Sequence, residues 1–216
     1  SDVYKRQEYG WESNRAELKE NSSKIFYSYL KNGFTPAGFF KEFVNLDRKF
    51  EEPVHSIRRQ SEGIYAMLHF LAYEKEQGRR HPEWEQRMKK MLDMFMQLQN
   101  EDGSFPRKFR DDFSIVDKSG GSTPSATLPL VMGYKYFKDK RYLTSAKRTA
   151  DYLERELISK SDYFSSTLDA NCEDKEASLY AATATYYLAL ITKGEEHKHY
   201  ADLTKKAAYF ALSWYY

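Results

Sequence analysis

Apolar residues return at helical spacing in runs at 12–31, 56–77, 82–99, 123–137, 142–158, 173–192 and 200–216. The runs at 123–137 and 173–192 carry few charges after their first turn. Those at 82–99, 142–158 and 200–216 keep a polar face. A helix that is apolar all round is buried, and an amphipathic one lies outside. Punctuation agrees with these bounds. Asn32-Gly33, Gly78 and Gly194 stop helices, Pro82 and Pro124 sit just inside starts, and Thr123 is placed as an N-cap. Pro129 falls within its run, which predicts a kink there or a start near Thr127.

A repeat sets the architecture. Trp84, Tyr142 and Tyr200 each open a run and lie 58 residues apart (142 − 84 and 200 − 142). Lys89, Lys147 and Lys205 keep the same step, as do Met94, Tyr152 and Phe210. A fixed period marks stacked units, none able to bury its apolar face alone. The predicted fold is all-α, an α/α toroid of nested helical hairpins with about seven helices. The long segments 34–55, 100–123 and 159–172 all lead into inner helices, so they must gather at one end. A short hairpin is expected around Asn45 to Arg48.

The repeat argues for one body over 8–216. Residues 1–7, Ser-Asp-Val-Tyr-Lys-Arg-Gln, resemble a translated library adaptor and are set aside as a non-native leader. The helical pattern runs on through Ser213-Trp214-Tyr215-Tyr216 without a stop signal, the expectation for a piece of a longer protein. Lys plus Arg (34) nearly balances Asp plus Glu (32), which gives no electrostatic reason to expect nucleic acid. No apolar run is long enough to span a bilayer, so no membrane partner is expected. The single cysteine, Cys172, excludes an internal disulfide and is read as a small buried residue. No zinc spacing, Walker loop or GxGxxG stands in the chain, so neither metal nor cofactor is expected. Eighteen Tyr and fourteen Phe fill a wide core or line a groove for a flat ligand.

Loops gathered at one end of a rigid scaffold are the usual place for function. The densest cluster is Asp169, Glu173, Asp174 and Glu176, at the mouth of an apolar helix. Acids there are also stabilised simply by the helix dipole. If they face a cavity, Asp169 or Glu173 can work as general acid or base. Glu176 shares a helix face with Glu173. Asp102, in Asn100-Glu101-Asp102-Gly103-Ser104-Phe105-Pro106, is either a turn former or a third carboxylate, and Phe105 a stacking platform. His55 and Arg58, with Arg59, suit a carboxylate-bearing ligand such as a uronic acid, or are surface charges. Ser119 to Ser125 suits an anion at a helix start, or is a glycine-rich cap.

Three stretches carry a resemblance: Gln-Asn-Glu-Asp-Gly-Ser-Phe-Pro at 99–106, Tyr-Leu-x-x-Ala-x-x-x-Ala-x-Tyr-Leu at 142–153, and Arg-Gln-Ser-Glu-Gly-Ile-Tyr-Ala at 59–66. With the alternating helices they look like the six-hairpin glycosidase superfamily, the last stretch being similar to relatives of unsaturated glucuronyl hydrolase. The likeness covers most of 12–216, just over half of a twelve-helix toroid. It implies a carbohydrate-active enzyme, a glycoside hydrolase working by carboxylate acid/base chemistry on an oligosaccharide or polysaccharide. A periplasmic or extracellular destination is favoured, and the oligomeric state is left open. No complete catalytic pair of one family maps onto the chain. Such toroids also house epimerases, lyases and terpene cyclases, and no Asp-x-Asp-Asp acid motif supports the last. A non-catalytic carbohydrate-binding or scaffold toroid and a polysaccharide lyase are the alternatives. Carboxyl groups about 5 Å apart suit retention of configuration, and about 6.5–9.5 Å inversion.

Overall fold

The computed structural model describes residues 2–42, 44–45, 50–51, 54–164 and 172–215. Among them eight α-helices pair as hairpins: α1 Asp2–Glu12 with α2 Ala16–Asn32, α3 Ile57–Glu76 with α4 Pro82–Gln97, α5 Thr123–Phe137 with α6 Lys140–Tyr152, and α7 Lys175–Ile191 with α8 Gly194–Leu212. The first member of each pair packs on the next first member, α1 on α3, α3 on α5, and α5 on α7. These four form an inner layer, and the partners lie behind them. The nested all-α architecture is the one that the charge pattern predicts.

Burial follows from the sequence. α5, with no acidic residue and only one basic residue, buries every side chain from Thr123 to Met132. The period-58 aromatics Trp84, Tyr142 and Tyr200 are all buried, at 1%, 0% and 4% exposure, so they key each outer helix to the inner layer. α5 runs through Pro129 from Thr123, rather than starting at Thr127. Pro129 lacks an N–H, so it gives up one helical bond to Ser125, and tight packing around α5 holds the helix through it. Tyr200 sits in the second turn of α8, which starts at Gly194. α6 continues as a π-helical segment, Leu153–Ile158.

Two differences concern the leader and its helix. Residues 2–7, set aside from the fold, belong to α1. Gln7 is 2% exposed and its amide donates to the buried carboxylate of Glu74 on α3. α1 buries Gln7 and Gly10 rather than an apolar stripe, so periodicity could not announce it.

The long segments come together as expected. β1 Val44–Asn45 pairs antiparallel with β2 Phe50–Glu51, around the predicted hairpin. β3 Val54–Ser56 pairs with β4 Lys108–Arg110, which pairs with β5 Ile115–Asp117. The first long segment is therefore stitched to the second. The third meets the second where Asp162, Phe164 and Glu173 approach Ser119 and Gly120.

The 99–106 turn presses on α6. Gly103 has φ +93°, and a Cβ there would come 2.1 Å from the carbonyl oxygen of Arg148. Gln99 donates to the Ser145 carbonyl at 3.0 Å from the same turn. Gly103→Ala adds a left-handed side chain, itself worth about 1–2 kcal/mol, to a backbone clash. Chemical denaturation is expected to show a loss of about 3 kcal/mol. An unchanged midpoint would mean that the turn stands clear of α6.

Candidate functional site

A cavity of about 560 Å³ opens among the inner helices, α2 and the first long segment. Its walls are Tyr4 of α1, Phe26 and Tyr29 of α2, Phe40 to Glu42 of the first long segment, Arg59, Glu62, Gly63 and Tyr65 to Met67 of α3, Ser125 and Leu128 of α5, and Tyr180 of α7. The volume falls within the range of small-molecule pockets, about 300–1,000 Å³, and the lining is apolar and aromatic with few polar groups.

Glu42 is the most perturbed carboxylate on that wall. Its side chain is 6% exposed. Oε1 accepts from the Ser56 backbone N–H at 2.7 Å and from Gln60 Nε2 at 2.8 Å, while Oε2 lies 3.7 Å from Arg59 Nη1. Burial raises the carboxyl above its ordinary pKa, outweighing the Gln60 and Ser56 donors and the nearby His55 and Arg59. Gln60, wholly buried, fixes this arrangement. Its amide donates to the Phe40 carbonyl at 2.8 Å and its oxygen accepts from the Phe40 N–H at 2.9 Å. Phe40 in turn lies against Gly63, where a Cβ would come 2.6 Å from the ring.

Across the cavity, α3 and α7 reach each other over α5. Arg58 Nη1 pairs with Glu176 at 2.7 Å, Tyr180 donates to Glu62 Oε1, and the phenols of Tyr65 and Tyr187 meet at 2.6 Å. Arg58 Nε also donates to Glu62 Oε1 at 3.1 Å. The rungs follow helical spacing on both sides, 58, 62, 65 on α3 and 176, 180, 187 on α7. Burial and the bond to Glu62 raise the pKa of Tyr180, so it holds its proton at neutral pH. Burial and Tyr187 do the same for Tyr65.

The sequence-predicted residues are dispersed. Arg58 and Glu176 are brought together, but as partners outside the cavity lining, so the Arg58 guanidinium is already held by two carboxylates. His55 is 1% exposed between Phe39 and Phe109, with Nε2 2.7 Å from Asp111 Oδ1. Asp111 also accepts from Thr35 at 3.0 Å. His55 therefore ties the first long segment to the β4–β5 hairpin and has no surface to offer a ligand.

Phe105 is 0% exposed, stacked on Phe95 at 4.9 Å, with its N–H bonded to Thr123 Oγ1; it is core rather than a platform. Asp102 lies outside, beside α6. Partial burial disfavours its charge, but two donors from Ser104 and the nearby Arg155 hold its pKa below the ordinary value. It makes its turn and does not line the cavity.

Glu173 precedes α7 instead of sharing its face with Glu176. The N-cap is Asp174, which accepts from the Glu176 N–H. Glu173 faces Asp162, Phe164, Cys172, Ser119 and Gly120 in a separate recess. Its pKa is raised by burial, against the Tyr163 N–H, and by Asp162. Cys172 is exposed there, not buried, because it lies ahead of the helix. Asp169 lies outside the described residues.

Sequence reasoning missed Glu42, Glu62, Tyr65 and Tyr180. A usable signal was the stripe Arg58, Glu62, Tyr65, His69 along an otherwise buried helix, because a polar stripe on an inner helix must face open space.

No protein-family model matches the sequence. Solved structures do resemble the fold. A D-mannose isomerase superposes with a TM-score of 0.74 at 12% identity, covering 98% of this chain and 58% of the other. A cellobiose 2-epimerase from Spirochaeta thermophila gives 0.72 at 12%, covering 98% and 56%. An unsaturated glucuronyl hydrolase from a Bacillus species, described as responsible for glycosaminoglycan degradation, gives 0.69 at 14%, covering 92% and 56%. The chain thus spans between 56% and 58% of the length of these proteins. The likeness shows the fold alone: the chain folds as part of an α/α toroid of the kind these proteins share.

Proposed function

We propose that this chain carries the sugar-binding cavity of a carbohydrate-active enzyme, and that the reaction is glycoside hydrolysis. The observation that carries the reading is Glu42: a buried carboxylate biased towards its protonated form, on the wall of an aromatic-lined cavity that also holds the half-exposed Glu62. Two carboxyl groups on one cavity wall, one of them biased towards holding its proton, suit the division of labour that glycoside hydrolysis uses. Glu42 gives its proton to the leaving oxygen, and Glu62 takes one from the attacking water. Tyr29, Phe40 and Tyr65 offer ring faces to the sugar. Lys41 and Arg59 balance Glu42 and Glu62 on the wall, so net charge does not favour an acidic sugar.

Isomerisation or epimerisation of a free sugar is the second reading, favoured by the isomerase and epimerase among the similar folds. A panel of nitrophenyl glycosides, with free disaccharides followed by NMR, separates the possibilities. Release of nitrophenol that Glu62→Gln lowers at least a hundredfold supports hydrolysis. Conversion of a reducing sugar without cleavage supports isomerisation. Sugar binding with no turnover would leave a binding module.

A further inference from the structure

The rungs between α3 and α7 give Tyr180 a particular chemistry. α5 lies between the two helices and packs on both, so nothing in helix packing requires side chains to meet above it. They meet nonetheless, and Glu62 Oε1 is the shared acceptor of Arg58 Nε and the Tyr180 hydroxyl. Arg58, held also by Glu176, fixes the carboxylate of Glu62 in place, 3.1 Å from Arg58 Nε. Tyr180 stands over the Arg58 guanidinium, 5.8 Å from ring centroid to Cζ, which fixes the ring as well as the hydroxyl. Arg58 also donates towards the phenol oxygen, which has a second acceptor position for a water while its proton points at a carboxylate. Both Glu62 and Tyr180 line the cavity.

We propose that Tyr180 is a catalytic residue, a proton relay between the substrate-side oxygen and Glu62. The inference rests on the hydrolytic reading above. Water bound in the cavity donates to the phenol oxygen of Tyr180. As its oxygen bonds to the anomeric carbon, its proton passes to that phenol oxygen, and the phenol's own proton passes to Glu62. Tyr180 stays neutral throughout, so no tyrosinate is required. The anomeric carbon–oxygen bond breaks with its electron pair on the leaving oxygen, which takes the proton of Glu42. Glu62 ends protonated and Glu42 ionised, and exchange with solvent restores both.

Two measurements test this. With whichever nitrophenyl glycoside the wild type cleaves, Tyr180→Phe is expected to lower kcat at least a hundredfold. KM should stay within threefold, and the acidic limb of the kcat profile that Glu62→Gln also removes should disappear. A change confined to KM, or an unchanged pH profile, overturns the relay and leaves Tyr180 a binding group. The dyad itself is read without turnover. In protein carrying ring-labelled tyrosine, the Tyr180 resonance, assigned by its loss in Tyr180→Phe, should shift as Glu62 titrates and stop doing so in Glu62→Gln. A resonance indifferent to Glu62→Gln overturns the relay even if glycosides are cleaved. A coupled resonance with no glycoside cleaved supports the shared proton and defeats hydrolysis instead.

Discussion

Glu42→Gln is expected to lower turnover about 10²–10⁴-fold while raising thermal stability. The two effects share one cause. Burial raises the pKa of Glu42 in the folded chain, so the folded state binds its proton more tightly than the unfolded state does. Stability from this group is fully present below the unfolded pKa and is lost as pH rises through the folded one. At neutral pH the wild type therefore carries a destabilising carboxylate, and glutamine removes it. The glutamine oxygen can still accept from the Ser56 N–H and Gln60, so the loop keeps its anchors. Glutamine has no proton to give a leaving oxygen, and loss of a general acid costs about 10²–10⁴-fold. Melting curves across pH provide the check. The stability gained by Glu42→Gln should grow from acid to neutral pH. A constant or negative difference would mean that Glu42 is ordinary in its ionisation, and the acid role would fall with it. Such an opposition of stability and activity is common where a site holds a strained charge.

The scaffold was legible because helix burial is a local property of the sequence. A run such as Ala177 to Ile191 without a charge can only be an inner helix, and Trp84, Tyr142 and Tyr200 keep register by keeping volume. The site was less legible because its carboxylates are defined by partners far away in sequence. Glu42 lies in a segment with no helical period. Its special status comes from burial, and its carboxylate is held in place by Gln60, 18 residues on, and by Ser56. Acid density pointed instead to residues 169–176, but Asp174 is the N-cap of α7 and Glu176 a first-turn acid favoured by its dipole. Phe105 looked like a platform because turns display their side chains. Here Thr123 takes the Phe105 backbone into the core and Phe95 stacks on its ring.

Gln60→Leu is expected to cost about 3–5 kcal/mol and to collapse the cavity wall. Leucine fills much the same volume, so the loss is polar rather than steric. The amide and carbonyl of Phe40 lose the partner that satisfies both, and Glu42 loses one of its two short donors. Each buried group left without a partner costs about 1–3 kcal/mol, and a charged one more. Freed from Gln60, the 33–42 segment keeps the Lys41 N–H to Gly33 carbonyl bond at 2.9 Å and the Phe34–Phe40 bridge, so it holds its own turn but not its seat on α3. Phe40 should then leave Gly63. Urea unfolding reads the energy, and amide exchange at Phe40 reads the release. Gln60→Glu supplies a discriminating control. It keeps the acceptor for the Phe40 N–H but sets a second carboxylate against Glu42, so it should approach wild-type stability only at acid pH. Equal stability of Gln60→Glu and wild type at neutral pH would overturn both the charge repulsion and the donor role argued here for Gln60.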